Sequence, residues 1–294
     1  MAAEIFDGKT IAAQIKSELK PRVAALREAG LSPSLGTIIV GENPASKIYV
    51  QGKHDDCAEV GIKSVRIELP EDACTEDVLA AVDSLNGAPS CTGFIVQLPL
   101  PPQIDTDAVL ARINPTKDAD GLHPLNLGAL VLNTAGEFNS PIPCTPRGIV
   151  ELGRRYGLDW NGKNVCVVGQ GRTVGRPLSL LLSHESINAT VDTCHIGTRS
   201  LAEHTLRADV IVAAAGAAHL LKAEMVAPHA VVFDVGVTRE VNPETGKGKI
   251  LGDVSPEVAQ KVAGLSPNPG GVGPMTRAML LVNIVEQAER VLQK

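Results

Sequence analysis

Apolar and polar positions along this chain follow two rhythms that take turns. Ile11, Ile15, Leu19, Val23 and Leu26 recur at steps of three and four, which gathers them on one face of a helix. Pro21 falls inside this stretch and is expected to kink or interrupt the helix, since it lacks an amide donor and crowds the preceding turn. Residues 35–41 (LGTIIVG) read as a buried strand, 46–60 as a helix, 64–69 (SVRIEL) as an alternating strand and 75–85 as a helix. Residues 92–102 (TGFIVQLPLPP) read as a strand ending in prolines, and 105–113 as a helix. Residues 114–144 are rich in Pro, Gly, Asn and Asp, which predicts loops leading to a domain boundary.

The second half repeats the alternation. Thr145 is a candidate helix N-cap with Pro146 at the first helical position. There follow a strand (NVCVVG), a helix from about Val174, a strand (ATVDTCH), a helix (SLAEHTLRA), a strand (DVIVAAAG), a short helix near Lys222 and a strand (AVVFDVGV). Residues 255–264 and 275–293 read as two more helices. Strands alternating with helices predict α/β architecture, with parallel sheets covered by helices.

Composition narrows the function. The 294 residues suffice for one large or two ordinary domains. A net charge of −6 and an aromatic content of 2% argue against nucleic-acid binding, which relies on basic patches and stacking platforms. Cys57, Cys74, Cys91, Cys144, Cys166 and Cys194 are scattered, with no C-x-x-C pair, as for reduced thiols in a cytosolic protein. The N-terminus shows no leader pattern and no apolar run reaches membrane-spanning length. The expectation is a soluble, cytoplasmic protein with no membrane partner.

Candidate chemistry begins at VVGQGRTVGRP. Gly169 and Gly171 match the first two glycines of a dinucleotide fingerprint, but Gly175 comes one residue late for the third. The strand before and the helix after supply the context for pyrophosphate binding at a helix N-terminus, although a plain strand-to-helix turn also fits. Asp192 lies near the distance at which an NAD site places its ribose-binding acid, but it sits in mid-strand. The strand end carries His195, Thr198 and Arg199, and Arg172 lies in the loop itself. That neutral-to-basic rim favours the 2′-phosphate of NADP.

Tyr49 and Lys53 form Y-x-x-x-K, which places both on one helix face as a candidate proton-handling pair. A surface lysine beside a packed tyrosine has the same spacing. Short-chain dehydrogenases carry this motif after their glycine loop, and here it comes before, which rules them out. Gln97 falls at the carboxyl end of a strand, where open α/β sheets bind ligands. Asp118 and Asp120 precede a glycine turn, with too few oxygen donors following for calcium, and no metal site is expected. Residues 266–276 (SPNPGGVGPMT) form a rigid Pro/Gly segment before the last helix.

Taken in order, these motifs resemble the bifunctional methylenetetrahydrofolate dehydrogenase/cyclohydrolase family over nearly the whole chain. The carriers are YVxxK at residues 49–53, QLPLP at 97–101, KDxDG at 117–121, PCTP at 143–146, the glycine loop, and PGGVGPMT at 269–276. The longer glycine spacing is itself the family's pattern.

The resemblance implies oxidation of 5,10-methylenetetrahydrofolate with NADP, then hydrolysis of the methenyl product to 10-formyltetrahydrofolate, a step of one-carbon metabolism that feeds purine biosynthesis. It implies Lys53 as general acid/base with a lowered pKa, Gln97 holding it, Tyr49 stacking on the folate and Asp120 accepting from the pterin. Val96, Leu98, Pro269, Gly270, Gly271, Val272, Gly273 and Pro274 would line the folate site. Thr145, Gly169, Gln170, Gly171, Arg172, His195, Ile196, Thr198 and Val237 would bind the cofactor.

Many relatives carry Arg and Ser where Gln170 and Gly171 stand, and some a polar or basic residue at Ile196. The 2′-phosphate then falls to Arg172, His195, Thr198 or Arg199. The implied fold has two α/β domains with a cleft between them. One is an N-terminal folate and catalytic domain (residues 1–143 with 277–294). The other is a C-terminal Rossmann-like NADP domain (144–276), through which the family forms homodimers. A shikimate dehydrogenase-like protein shares this domain order but leaves PGGVGPMT and QLPLPP unexplained.

Overall fold

A computed structural model describes residues 3–241 and 248–293. The elements run β1 (Glu4–Ile5), α1 (Gly8–Glu28), β2 (Ser34–Val40), α2 (Pro44–Val60), β3 (Lys63–Leu69), α3 (Thr75–Gly87), β4 (Gly93–Val96), α4 (Thr106–Arg112), α5 (Pro124–Leu132) and α6 (Cys144–Arg155). There follow β5 (Asn164–Val168), α7 (Gly175–Leu182), β6 (Thr190–Cys194), α8 (Leu201–Thr205), β7 (Val210–Ala213), β8 (Val231–Asp234), β9 (Thr238–Val241), β10 (Gly248–Leu251), β11 (Gly264–Ser266) and α9 (Val272–Leu292).

The chain divides into two compact units. One comprises Ala13–Ala129, Phe138–Cys144 and Arg277–Lys294. Its sheet is parallel, in the order β3-β2-β4. All seven positions of β2 are buried, as a central strand covered on both faces requires. Its core includes Ile38, Val78, Val82, Phe94 and Val109. Because β3 and β4 lie on opposite sides of β2, the strand order reverses at the carboxyl end of β2, where such sheets bind ligands.

The other unit comprises Met1–Ala12, Leu130–Glu137 and Thr145–Thr276. Its six-stranded sheet, β1-β11-β8-β7-β5-β6, is parallel throughout. The order reverses at β5, which is flanked by β6 and β7 and carries Gly169 at its carboxyl end. This is the doubly wound arrangement that binds dinucleotides at the switch point. The expected assignment of residues 1–143 to one domain differs from this division at 1–12 and 130–137. The cause at the N-terminus is the pairing of Glu4 and Ile5 with Gly264 and Leu265.

Several local expectations are corrected. Helix α1 runs through Pro21. Pro21 and Ser17 both lie on its exposed face, so the carbonyl that proline leaves without a donor meets water, while buried Ile11, Ile15, Leu19, Val23 and Leu26 pin the helix on both sides. Residues 114–144 are not all loop, since the apolar run PLNLGALVL forms α5. Helix α6 begins at Cys144, placing Thr145 within its first turn rather than at the cap. Residues 255–264 hold only a 3-10 segment, Pro256–Gln260, before β11. β9 and β10 form an antiparallel pair, which the strand-helix alternation does not predict.

Candidate active site

In the first unit the strand ends converge on Lys53. Helix α2 follows β2 and places Tyr49 and Lys53 one turn apart. Lys53 is 5% exposed, and its Nζ donates to Gln97 Oε1 at 3.0 Å. Gln97 is fixed in turn, because its backbone N–H donates to Ile38 O at 2.9 Å and its Nε2 donates to Leu98 O at 2.6 Å. Lys53 Nζ lies 4.8 Å from the centroid of the Tyr49 ring. Burial pushes the Lys53 amine below its ordinary pKa, against the opposing pull of the Asp120 carboxylate, and the Arg277 charge lowers it further. Val96 is a core side chain of β4, 3% exposed, which leaves only its backbone to meet a ligand. Leu98 is half-buried.

Asp120 is half-buried, and its neighbour Asp118 is buried. The Asp118 carboxylate accepts from Gly121 N at 3.1 Å, His123 N at 2.8 Å and Asn126 Nδ2 at 2.8 Å. Its pKa is raised by burial, which the hydrogen bonds from Asn126 and His123 oppose. Gly121 has φ +72°, and a Cβ there would meet the Ile142 carbonyl carbon at 2.7 Å, so only glycine closes the turn after Asp120. From α9, Gln287 Nε2 donates to Asp118 O at 3.0 Å, and Asn283 Nδ2 donates to Ala119 O and Ile142 O at 2.9 Å each. Sequence reading missed Asn283 and Gln287. Two amides four residues apart on one face of the last helix were the available signal.

In the second unit the glycine turn is closed by two close approaches. Gly169 has φ +99°, and a Cβ there would fall 2.3 Å from Ala214 O. A Cβ on Gly175 would fall 1.8 Å from Gly169 O. Gly171 has open space around it, so its backbone is accessible. Helix α7 starts at Gly175, and Val174 caps it without a side-chain hydrogen bond. These features leave a bare glycine backbone at the start of α7, the kind of turn that suits a pyrophosphate, and the extra residue before Gly175 is accommodated within it.

The rim beyond β6 is exposed. His195 N donates to Thr198 Oγ1 at 2.9 Å, and Gly197 N donates to His195 Nδ1 at 3.0 Å. Ile196 and Val237 are exposed hydrophobics, and Arg172 and Arg199 are exposed. Asp192 is engaged elsewhere, since Oδ2 lies 2.7 Å from His204 Nδ1 and pairs with Arg207. That pairing occupies the one acid that argued for NAD.

Asp253, which sequence reading missed, is fully buried. Its carboxylate accepts from the backbone N–H groups of Ala215, Gly216 and Ala217 at 2.6, 3.0 and 2.8 Å. This fixes the strand-end loop that packs against Gly169.

Thr145 Oγ1 lies 3.0 Å from Thr276 Oγ1. The Pro/Gly segment is tightly folded. Gly270 has φ +108°, and a Cβ on Gly271 would fall 2.1 Å from Ser266 Oγ. Val272, Gly273 and Pro274 form the first turn of α9, which starts three residues earlier than expected.

Among the described residues no helix is long and apolar enough to cross a membrane. All six cysteines are free.

Comparison with known proteins agrees with this geometry. Residues 6–120 match the tetrahydrofolate dehydrogenase/cyclohydrolase catalytic domain, and residues 143–292 match the NAD(P)-binding domain of the same family. The bifunctional FolD methylenetetrahydrofolate dehydrogenase/cyclohydrolase from Campylobacter jejuni is 42% identical, with 99% of this chain and 100% of that one covered at a TM-score of 0.91. The Trypanosoma brucei N5,N10-methylenetetrahydrofolate dehydrogenase-cyclohydrolase, solved with NADP cofactor and an inhibitor, is 38% identical over 100% of both chains at a TM-score of 0.92. Thermus thermophilus shikimate 5-dehydrogenase is 13% identical over 87% of this chain and 99% of that one at a TM-score of 0.51, a likeness of fold alone. Both family domains match in order, and the glycine loop falls at the switch point of the six-stranded sheet. The chain belongs to the tetrahydrofolate dehydrogenase/cyclohydrolase family.

Proposed function

We propose that the protein oxidises 5,10-methylenetetrahydrofolate to the 5,10-methenyl form with NADP and hydrolyses that product to 10-formyltetrahydrofolate. The observation that carries this reading is a buried lysine amine, depressed in pKa by burial and held by one amide oxygen. A neutral amine in that setting is a general base at near-neutral pH. NADP, when bound, supplies the hydride acceptor for the first step. The chain's own contribution to that step is positioning.

In the hydrolytic step Lys53 takes a proton from water as the water oxygen bonds to the methenyl carbon. It returns that proton to the folate's N5 as the carbon–N5 bond breaks, and the adduct's hydroxyl proton leaves to the amine as the carbonyl of the N10 formyl group forms, so that one proton passes on to solvent overall. Gln97 keeps the amine aimed, and Tyr49 offers a ring face to the folate. Asp120 accepts from the pterin amide and amine. Val96 and Leu98 contribute backbone and apolar wall. Residues 269–274, with their tightly folded backbone, are proposed as a further folate contact.

Gly169, Gln170 and Gly171 are proposed to meet the pyrophosphate, with Thr145, Ile196 and Val237 as further cofactor contacts. Arg172, His195, Thr198 and Arg199 are proposed to receive the 2′-phosphate. The engagement of Asp192 by His204 and Arg207 supports NADP over NAD. Action as a cytoplasmic homodimer in one-carbon supply for purine synthesis completes the reading, with light scattering on purified protein as the test of the dimer. The direct test of activity follows methenyl product from methylenetetrahydrofolate with each cofactor. Turnover with NADP well ahead of NAD is expected, and no turnover with either contradicts the reading.

A further inference from the structure

Arg277, on α9, reaches the helix that carries Lys53. Its Nε lies 2.8 Å from Asp56 Oδ2, and its Nη2 donates to Asp56 Oδ1 at 3.4 Å. Asp56 is 5% exposed and also accepts from Lys16 Nζ at 2.9 Å. Asp56 follows Lys53 by three residues on α2, so the two share a helix face. Gly52 precedes Lys53, and a Cβ there would fall 2.1 Å from Arg277 Nη1. The guanidinium therefore lies on the bare backbone beside Lys53, with Asp56 fixing its far side.

We propose that Arg277 is a positioning residue for the hydrolytic reaction, a clamped cation that keeps the neighbouring Lys53 amine in its neutral, proton-accepting form. The proposal rests on the general-base reading of Lys53. The groups that face Lys53 are Asp120 from the segment before α5, Cys144 from α6, Cys57 and Asp56 from α2, the ring of Tyr49, Gln97 after β4, and Arg277 from α9. Cys57 and Cys144 have thiol pKa values pushed up by burial, so both stay neutral. His54, next on α2, is pushed below its ordinary pKa by burial and then by Arg66, so it is neutral at neutral pH. Among these groups Arg277 is the permanent cation. A fixed positive charge disfavours a second one nearby, and it opposes the Asp120 carboxylate, which favours the ammonium. Lys16 shares Asp56 with Arg277 and so limits how far that carboxylate offsets the guanidinium.

The test measures the rate at which an amine-acylating reagent modifies Lys53 as a function of pH, read by peptide mass spectrometry on the intact folded protein. It is run beside the pH profile of methenyltetrahydrofolate hydrolysis. Three variants are compared with the parent, and Lys53→Met serves as the control for hydrolysis. Arg277→Met removes the cation and Arg277→Lys keeps it. Gly52→Ala leaves Arg277 in the chain but puts a methyl where the guanidinium lies, at a helical position that favours alanine.

In Arg277→Met and Gly52→Ala, both the acylation midpoint and the acid limb of hydrolysis should move to higher pH, by roughly 0.5–1 unit. Below that limb the rate should fall by about 3- to 10-fold. Arg277→Lys should restore most of the parental profile. An unmoved midpoint in Arg277→Met and Gly52→Ala overturns the proposal. A moved midpoint with hydrolysis surviving in Lys53→Met upholds the effect of Arg277 on the amine and overturns instead the role given to Lys53.

Discussion

Lys53 and Gln97, 44 residues apart in sequence, meet in one hydrogen bond of 3.0 Å from Nζ to Oε1. The bond leaves the amine aimed by an amide rather than by a carboxylate. An amide oxygen orients the amine without adding the negative charge that would stabilise its protonated form. Gln97→Glu should therefore lower hydrolysis near neutral pH and move its acid limb upward. Gln97→Ala should lower kcat by about 10²-fold through misplacement with cofactor affinity unchanged. Steady-state hydrolysis against pH, with cofactor titrations on each variant, checks both.

The cofactor turn offers a second test. Asp253 satisfies three backbone donors with one buried carboxylate. Asp253→Asn replaces one acceptor oxygen with a donor and leaves backbone N–H groups unpaired, at about 1–3 kcal/mol of stability. Because the held loop packs against Gly169, the dissociation constant for NADP should rise in that variant. Lysine acylation at Lys53, in the other unit, should be unaffected. Calorimetric titration and thermal melts measure the two effects.

The rim beyond β6 predicts a cofactor-specific loss. Arg172→Ala and Arg199→Ala each remove a charge proposed to meet the 2′-phosphate. A charge-assisted hydrogen bond is worth about 1.5–3 kcal/mol, so the variant that breaks the contact should raise the KM for NADP by about 10- to 100-fold. The KM for NAD should stay near its starting value. Initial rates with both cofactors decide which arginine acts.

Stability should depend on pH through Asp234. Burial pushes its carboxyl up to about 7, with the nearby Asp253 adding to the rise. Its folded pKa exceeds the unfolded value near 3.9, so the folded state binds the proton more tightly. This contribution to stability is complete below about pH 4 and is lost as pH rises through about 7. Asp234→Asn should flatten that part of the profile, which denaturant unfolding at a series of pH values would show.

Much of this was legible in the sequence where one local signal sufficed. The short apolar runs IIV in β2 and VCVV in β5 are buried strand segments, and Gln97 and Gly169 directly follow strand ends, as their order in the chain implied. Other features depend on tertiary partners. Glu4 and Ile5 form a strand only because β11 pairs with them. Helix α1 tolerates Pro21 because the freed carbonyl faces water. α5 was hidden because residues 114–144 as a whole are rich in loop formers, although the run within it is apolar. The anchoring of Asp118 by Asn126 and Gln287, of Arg277 by Asp56, and of residues 215–217 by Asp253 joins positions 8 to 221 residues apart, and no periodicity records such pairs.

Everything proposed for the hydrolytic step turns on the buried Lys53 amine. The most direct measurement supplies 5,10-methenyltetrahydrofolate to the parent protein and to Lys53→Gln, subtracts spontaneous hydrolysis, and records NADP affinity in parallel. Glutamine retains an N–H for Gln97 but takes up no proton in this pH range. Hydrolysis should fall by about 10²-fold or more with the NADP dissociation constant unchanged if Lys53 is the base. Hydrolysis within a few-fold of the parent would contradict that role.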